Sequence, residues 1–392
     1  TVLDHPELFK NQRDLIISWH DLKRTPRREL LMEKIRLARK FGMIVKIVTM
    51  ATDFEDNARL LSLYKDQERG SLIAFCMGER GEISRILSPL FGGFLTFGSL
   101  ETGKETAPGQ ITGTTLKNIY RVCDKRDSFK IYGVIGNPIH KSMGYLIHNR
   151  AFKETGSTDI YVPFLVDNVE KFFKGFSSYF EGLSVTMPFK EDIMALMDKI
   201  EETAKRIGAV NTVVRDETGW KGYNTDCMGA LKALEKHVDL KGKNVLIVGA
   251  GGTAKAIGYG VQEKGAKITV TYNRNKEKGL QLAKELAAKV VNIQDAGEEE
   301  IDVLINCSPV GMSPNQEETP ISSRYLRKGM VVFDSVYNPL ETRLIREAKV
   351  AGCVTISGVE LFVNQAVGQF ELWTGQKAPT DPMRDVVVRG LN

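Results

Sequence analysis

Asn244-Val245-Leu246-Ile247-Val248-Gly249-Ala250-Gly251-Gly252-Thr253-Ala254 decides the fold of the back half of the chain. The run up to Val248 reads as a buried strand, and Gly249 ends it. A helix is expected from Ala254 to Glu263, and a second strand at Lys267 to Tyr272. Strand, glycine loop, helix and strand are the setting in which GxGxxA serves a dinucleotide. The glycines permit a tight turn, and the helix N-terminus then faces the pyrophosphate. Gly249, Gly251, Gly252, Thr253 and Ala254 are the expected cofactor residues. An ordinary glycine-rich β-α turn is the alternative.

The end of the second strand separates the two nicotinamide cofactors. An NAD site places Asp or Glu there for the ribose hydroxyls. Here Asn273 and Arg274 stand in that place, with Lys276 and Lys278 behind. Arg holds a phosphate bidentately, so NADP is the expected cofactor. Asn273, Arg274 and Lys278 are its expected partners.

Outward from this loop, two polar runs mark boundaries. One is Asp239-Leu240-Lys241-Gly242-Lys243, the other Cys123-Asp124-Lys125-Arg126-Asp127-Ser128. β-α units fill the space between them. Their turns carry Gly136-Asn137-Pro138-Ile139 and Ser142, Ser184-Val185-Thr186-Met187-Pro188-Phe189-Lys190, Gly208-Ala209-Val210-Asn211-Thr212, and Gly222-Tyr223-Asn224-Thr225-Asp226. Hydroxyls, amides, one Lys and one Asp suit a polyhydroxylated acid, because a hydrogen-bonding site rejects analogues lacking the matching hydroxyl. Lys190 and Asp226 could share a proton and serve a carbonyl-alcohol interconversion as acid and base.

The order GNPI, SVTMPFK, GAVNT, GYNTD, GAGGTA and NR resembles the shikimate dehydrogenase family. So do Asn306-Cys307-Ser308-Pro309-Val310-Gly311, Asp334-Ser335-Val336-Tyr337 and Gly358 with Gln365-Ala366. The resemblance covers about residues 130 to 380. It implies NADP-linked reduction of 3-dehydroshikimate, with Lys190 and Asp226 as the catalytic pair. It implies Ser142, Thr186, Asn211, Tyr337 and Gln365 around the substrate, and Gly358 beside the cofactor. One departure concerns the Ser-x-Ser pair of the family, which is Ser142 and Gly144 here. One carboxylate hydrogen bond is then lost, or Lys141 or a water substitutes. Quinate could therefore be accepted. A different NADP dehydrogenase of the same two-domain build, acting on quinate or on a folate, is the second enzyme reading. The polar cluster at Thr186, Asn211 and Asn224 favours a polyol acid over a flat, apolar pterin. A non-catalytic sensor of NADP or of a shikimate-like ligand is the rival from another class; retention of both Lys190 and Asp226 speaks for the enzyme.

The first 122 residues read as four β-α units, with strands at Asp14 to Trp19, Met43 to Thr49, Leu72 to Met77 and Phe94 to Phe97. Asp53 is the expected N-cap of the second helix. His20, Arg85, Thr106 and Gln110 fall after the C-terminal ends of strands, where such units place chemistry. Lys46 lies within the second strand. Burial lowers an ammonium pKa, and a neutral amine attacks a ketone to form a Schiff base. SWH, IVKI, MGERG-x-x-SR and APGQ resemble type I 3-dehydroquinate dehydratase. The resemblance implies an imine on Lys46 and proton transfer by His20, with Arg85, Thr106 and Gln110 on the substrate. Dehydratase followed by dehydrogenase in one chain is similar to the bifunctional enzyme of plants and some bacteria.

A complete (β/α)₈ barrel needs about 250 residues. Four units correspond to its C-terminal half. Either the chain, whose first residue is Thr1, continues upstream, or the half barrel associates with another copy. Little or no dehydratase activity is expected of the 392 residues alone.

The expected fold is thus α/β: half a barrel over 1–125, a substrate domain over 129–237 with 356–392, and a Rossmann-type domain over 238–355. A last helical stretch, Val359 to Thr374, is expected to close the chain. With 54 Lys and Arg against 49 Asp and Glu, net charge is +5 without basic clusters. Small-molecule substrates are the expected partners, not nucleic acid. No apolar run approaches the ~20 residues of a membrane span. Five scattered cysteines without a CxxC pair favour a reducing compartment over disulfides or zinc. No metal is expected. The expected location is the cytoplasm, or the plastid in a plant.

Overall fold

A computed structural model describes residues 15–41, 44–124, 128–139, 142–272, 275–296 and 300–391. The chain divides into two units, residues 1–145 with 157–189 and residues 146–156 with 190–392.

The first unit opens with β1 (Ile16–Asp21), α1 (Arg28–Arg39), β2 (Ile44–Met50), α2 (Glu55–Ser62), β3 (Leu72–Met77), α3 (Glu82–Leu87) and α4 (Gly113–Asn118). β1, β2 and β3 form a parallel sheet in that order. All of β3 is buried, as the run LIAFCM demands of a strand covered on both faces. β1 alternates exposed and half-buried residues, the pattern of an edge.

The fourth strand expected at Phe94 to Phe97 does not form. The Phe94 N–H donates to Leu72 O at 2.9 Å, and the next ordered pairing is the bridge between Ser99 and Thr112. A would-be strand with a ladder on one side alone has little to hold it extended. Phe54 takes the position just before α2, yet Asp53 still caps the first turn. Its carboxylate accepts the Glu55 N–H, while Asp56 Oδ2 takes the N–H groups of Thr52 and Asp53. The expected residues Asp14 and Met43 lie outside the described residues.

The chain continues through β4 (Ile131–Gly136), α5 (Gly144–Glu154), β5 (Ile160–Leu165), α6 (Val169–Phe176) and β6 (Gly182–Val185). β4 lies between β5 and β6, all parallel. Phe54, just before α2, places its ring 5.7, 4.9 and 5.1 Å from the rings of Phe164, Phe172 and Phe176. Edge-to-face contacts of this kind add to the area they bury.

In the second unit β7 (Lys199–Ile200), α7 (Glu202–Ile207), β8 (Thr212–Asp216), β9 (Gly219–Tyr223) and α8 (Thr225–Leu234) come first. β8 and β9 are antiparallel, and β7 runs parallel to β9. Then follow β10 (Asn244–Val248), α9 (Gly252–Glu263), β11 (Lys267–Tyr272), α10 (Lys276–Glu285), β12 (Lys289–Asn292), β13 (Val303–Asn306), β14 (Val331–Asp334), α11 (Arg343–Val350), β15 (Val354–Ile356), α12 (Gly358–Thr374) and α13 (Thr380–Leu391). The sheet order is β12-β11-β10-β13-β14-β15, all parallel. Order reverses at β10, so a crevice opens at its carboxyl end between β10 and β13. Val245 and Ile247 pack toward Ile257 and Val261 of α9, while Leu246 and Val248 pack with Leu304, Val332 and Leu344. The chain does not close with α12. Pro382 sits in the first turn of α13, where a missing N–H costs nothing.

Candidate active site

Lys190 Nζ lies 2.5 Å from Asp226 Oδ2, and both side chains are largely buried. Asp226 is the second residue of α8. Asn224 caps that helix: its Oδ1 accepts the N–H groups of Asp226 and Cys227, and its Nδ2 donates to Ala209 O. A carboxylate in the first turn also meets the positive end of the helix dipole. Lys190 is held by its own carbonyl, which accepts the Val210 N–H at 2.8 Å. A buried ammonium on a carboxylate can release a proton to a carbonyl oxygen and recover it.

Asn211 is buried behind this pair. Its Oδ1 accepts the Thr225 N–H at 2.7 Å and the Thr212 hydroxyl at 2.7 Å, and its Nδ2 donates to Thr225 Oγ1. Gln369 of α12 donates from Nε2 to Asn211 O and Thr212 Oγ1. Its Oε1 faces His148 Nε2 at 3.2 Å, so that nitrogen carries the proton. Burial pushes the His148 pKa down to about 3, which keeps the ring neutral. Gln365 donates to Phe362 O, and Tyr337 stacks on Phe362 with ring centres 4.6 Å apart. α12 lies close on α8: a Cβ on Gly229 would come 2.9 Å from Gln365 N.

Ser142 and Thr186 belong to the first unit, and both are half-buried. Ser142 Oγ accepts the Gly144 N–H at the start of α5. A Cβ on Gly144 would fall 2.9 Å from the Tyr161 hydroxyl, which donates to Ser184 Oγ.

Gly249 has φ +108°, open to glycine at little cost. A Cβ there would also press on the Cys307 backbone at 3.1 Å. Gly251 caps α9, and a Cβ there would meet nothing within 4 Å. This open cradle at the N-terminus of a twelve-residue helix fits a pyrophosphate. A Cβ on Gly252 would lie 3.5 Å from Lys190 Cδ, so the loop borders Lys190. Thr253 is half-buried and Ala254 buried. Gly358 is pressed on the chain after β14, where a Cβ would sit 2.3 Å from Val336 O. Lys278 is exposed, its N–H held by the Asn275 cap of α10. Asn273 and Arg274 lie outside the described residues.

Asp334, at the end of β14, accepts from Asn306 Nδ2, Thr342 Oγ1 and the Val336 N–H. Burial outweighs these donors and pushes its carboxyl up to about 6.

In the front segment, Ser18 pairs with Lys46 and His20 with Val48, which places His20 and Lys46 on one face of the sheet. Lys46 Nζ stands 4.3 Å from the Phe97 ring centre. Burial and the nearby Arg85 charge lower the Lys46 pKa, and burial and Lys46 lower that of His20. Arg85 is 1% exposed. Its guanidinium lies 4.5 Å from the Phe75 ring centre and donates to Pro108 O, with Nε unpartnered, and burial lowers its pKa to about 10. Thr106 N–H and hydroxyl both bond Gln110 Oε1. Gln110 and Ser142 line one cleft of about 270 Å³ within the first unit.

Gln369 and His148 were not singled out from sequence, and Asn224 and Asp334 were read there as members of the GYNTD and DSVY runs. Asn224 alone carried a local signal, an Asn at the start of a helix.

Family comparison agrees with this geometry. The type I 3-dehydroquinase family model matches residues 7–127, and the shikimate dehydrogenase substrate binding domain matches 134–213. The shikimate/quinate 5-dehydrogenase model matches 231–333 and the shikimate 5'-dehydrogenase C-terminal domain 358–388. The chain is 41% identical over 388 residues to the chloroplastic bifunctional 3-dehydroquinate dehydratase/shikimate dehydrogenase of Arabidopsis thaliana. That alignment takes in 94% of the chain but 64% of the plant protein, so the chain spans less than two thirds of this relative. A shikimate dehydrogenase (NADP(+)) of Methanosarcina acetivorans is 43% identical over 277 residues, 67% of the chain and 99% of that protein. A shikimate dehydrogenase solved in complex with NADP+ superposes with a TM-score of 0.65 at 35% identity, over 69% of the chain and 98% of its own. A relative matched along nearly its whole length, over the part that holds Lys190, Asp226 and the glycine loop, settles the family: the chain belongs to the shikimate dehydrogenases, with a type I 3-dehydroquinase segment ahead of them.

Proposed function

We propose that the chain interconverts 3-dehydroshikimate and shikimate with NADP(H). The observation that carries this reading is the buried Lys190–Asp226 contact of 2.5 Å beside the glycine loop. Gly249, Gly251 and Gly252 would hold NADPH, with Asn273, Arg274 and Lys278 for its 2′-phosphate, and the cofactor would supply the hydride. Lys190 gives its proton to the carbonyl oxygen as the alcohol forms. Asp226 holds the ammonium in place and balances its charge. In the reverse direction the Lys190 amine accepts the hydroxyl proton. Ser142, Thr186, Asn211, Tyr337 and Gln365 hold the substrate, and the domain limits are 129–237 with 356–392 for substrate and 238–355 for cofactor.

The front segment, 1–125, is proposed as the C-terminal half of a dehydratase barrel. In a complete barrel Lys46 forms an imine with 3-dehydroquinate and His20 moves the protons. Arg85, Thr106 and Gln110 hold the substrate there. The lowered pKa of Lys46 supports this. The described residues supply three strands of a sheet, too few to close a barrel, so the chain by itself is proposed to dehydrate little or not at all. A second copy meeting the open sheet is the self-association we propose. Among the described residues no helix is long and apolar enough to cross a membrane. The cytoplasm, or a plastid, is the proposed location.

Gly144 favours a second substrate, quinate, because it leaves one hydroxyl fewer near Ser142. Following NADPH loss with 3-dehydroshikimate, for the parent and for Lys190→Ala, tests the main reading. Turnover lost in the variant is expected; a parent that binds NADPH without turnover would instead be a sensor. Catalytic efficiencies for shikimate and quinate, side by side, decide the substrate.

A further inference from the structure

Arg80 belongs to the front segment, in the tight turn Glu79–Gly81 after β3. Its side chain crosses to the neighbouring sheet of the same unit. Nε donates to Asp167 Oδ2 at 2.8 Å and Nη2 to Asp167 Oδ1 at 2.9 Å. Asp167 follows β5, and its Oδ1 also accepts Asn137 Nδ2 at 3.0 Å. Asn137 opens the turn after β4. Its N–H donates to Met187 O, and the preceding Gly136 lies so close to Thr186 that a Cβ would come 2.4 Å from Thr186 Cγ2. From the same turn, Ile139 O accepts the Ser142 N–H.

Arg80 is itself held in place. Its carbonyl accepts Asn57 Nδ2 at 2.7 Å, and Asn57 is fully buried on α2. Three residues away, Phe54 is set among Phe164, Phe172 and Phe176. The guanidinium therefore starts from a fixed backbone on one side and ends on a fixed turn on the other.

We propose that Arg80 is a positioning residue of the dehydrogenase: through Asp167 it holds the Asn137 turn against Thr186 and Ser142, so the front segment helps to shape the shikimate site. This rests on the shikimate dehydrogenase reading. Exposed ion pairs contribute little on average, and the exceptions are bidentate Arg–carboxylate forks with a third partner, as here. The Asp167 carboxyl is held below the usual carboxylate range, first by its hydrogen bonds from Arg80. Both residues belong to the first unit and the glycine loop to the second, so the effect should fall on shikimate and spare NADP.

The test compares Arg80→Ala, Arg80→Lys, Asn137→Ala and the double variant Arg80→Ala/Asn137→Ala. Arg28→Ala, which breaks a surface pair with Asp66 in the same segment, is the control. KM and kcat are measured with shikimate and NADP, and shikimate Kd by calorimetry. Arg80→Ala should raise KM and Kd for shikimate about three- to fivefold, with kcat and the NADP KM within about twofold. Arg80→Lys keeps the charge without the fork and should fall between. The double variant should be no worse than the weaker-binding single variant, since both act on one turn. Unchanged shikimate affinity in Arg80→Ala overturns the proposal. So do effects that multiply in the double variant, or equal losses for shikimate and NADP. A parent that binds shikimate without turning it over ends the enzyme reading, yet the Kd series still decides the role of Arg80. A parent that does not bind shikimate ends both.

Discussion

Asn224 Oδ1 accepts the backbone N–H of Asp226 at 3.1 Å, so the residue that caps α8 also anchors the residue whose carboxylate meets Lys190. Asn224→Ala removes the cap and is expected to cost about 1 kcal/mol of stability. It should also lower kcat, because Asp226 loses its anchor while Lys190 keeps its own. Chemical denaturation and kcat measured well below the melting range check both parts; an unchanged kcat would confine Asn224 to stability.

Lys190→Ala and Asp226→Asn each remove one half of the pair proposed to handle the proton. Each should reduce kcat about 10²- to 10⁴-fold. NADPH binding, read by fluorescence, should stay near the parent value, since the glycine loop remains intact.

The two ends of the glycine loop should respond differently to alanine. Gly249→Ala is forced into φ +108° against the Cys307 backbone and should lower Tm. At Gly251 a methyl meets open space, so Gly251→Ala should melt like the parent. That methyl would stand where the pyrophosphate approaches, and the KM for NADP should rise. Melting curves and NADP titrations of the two variants decide; a Gly251→Ala protein with parental NADP affinity would remove the loop from the cofactor site.

Asp334 makes stability depend on pH. Its carboxyl titrates at about 6 when folded and near ~3.9 when unfolded. Between those values the folded state holds more protons, so this contribution is full below the lower value and is lost as pH rises through the upper one. Denaturation midpoints from pH 4 to pH 6 should fall for the parent relative to Asp334→Asn, which lacks the titrating group. Parallel curves would show that Asp334 is ionised throughout.

Phe54→Ala empties a site bounded by three aromatic rings in a buried cluster. The expected loss is about 3–5 kcal/mol. Urea unfolding of the variant measures it; a loss below 1 kcal/mol would mean that the cluster collapses to fill the gap.

What could be read from sequence was what local rules control. β10, β11 and β3 lie where their apolar runs put them, and the glycine loop joins β10 to α9 as its spacing requires. The pairing of Lys190 with Asp226 was legible because each sits in a short polar cluster at a turn. Phe94 to Phe97 misled because an apolar run reads as a strand whether or not a neighbour exists to pair with it. The His148–Gln369 contact joins residues 221 positions apart, and Arg80–Asp167 joins residues 87 apart. No periodicity marks such pairs; they exist only once the sheets are in place. The shifted carboxyl of Asp334 was invisible for a related reason, since it depends on burial from all sides.

The setting of Phe54 among Phe164, Phe172 and Phe176 bears on how the chain can be shortened. A version trimmed to begin behind the polar run at 123–128 would retain every residue proposed for the dehydrogenase chemistry. It would also present a greasy socket to water, and exposed apolar patches draw chains together. Such a trimmed enzyme should aggregate or lose yield unless Phe164, Phe172 and Phe176 are recoated with polar side chains. The yield of the trimmed form with and without that recoating would show whether the front segment also serves as an internal solubility cover.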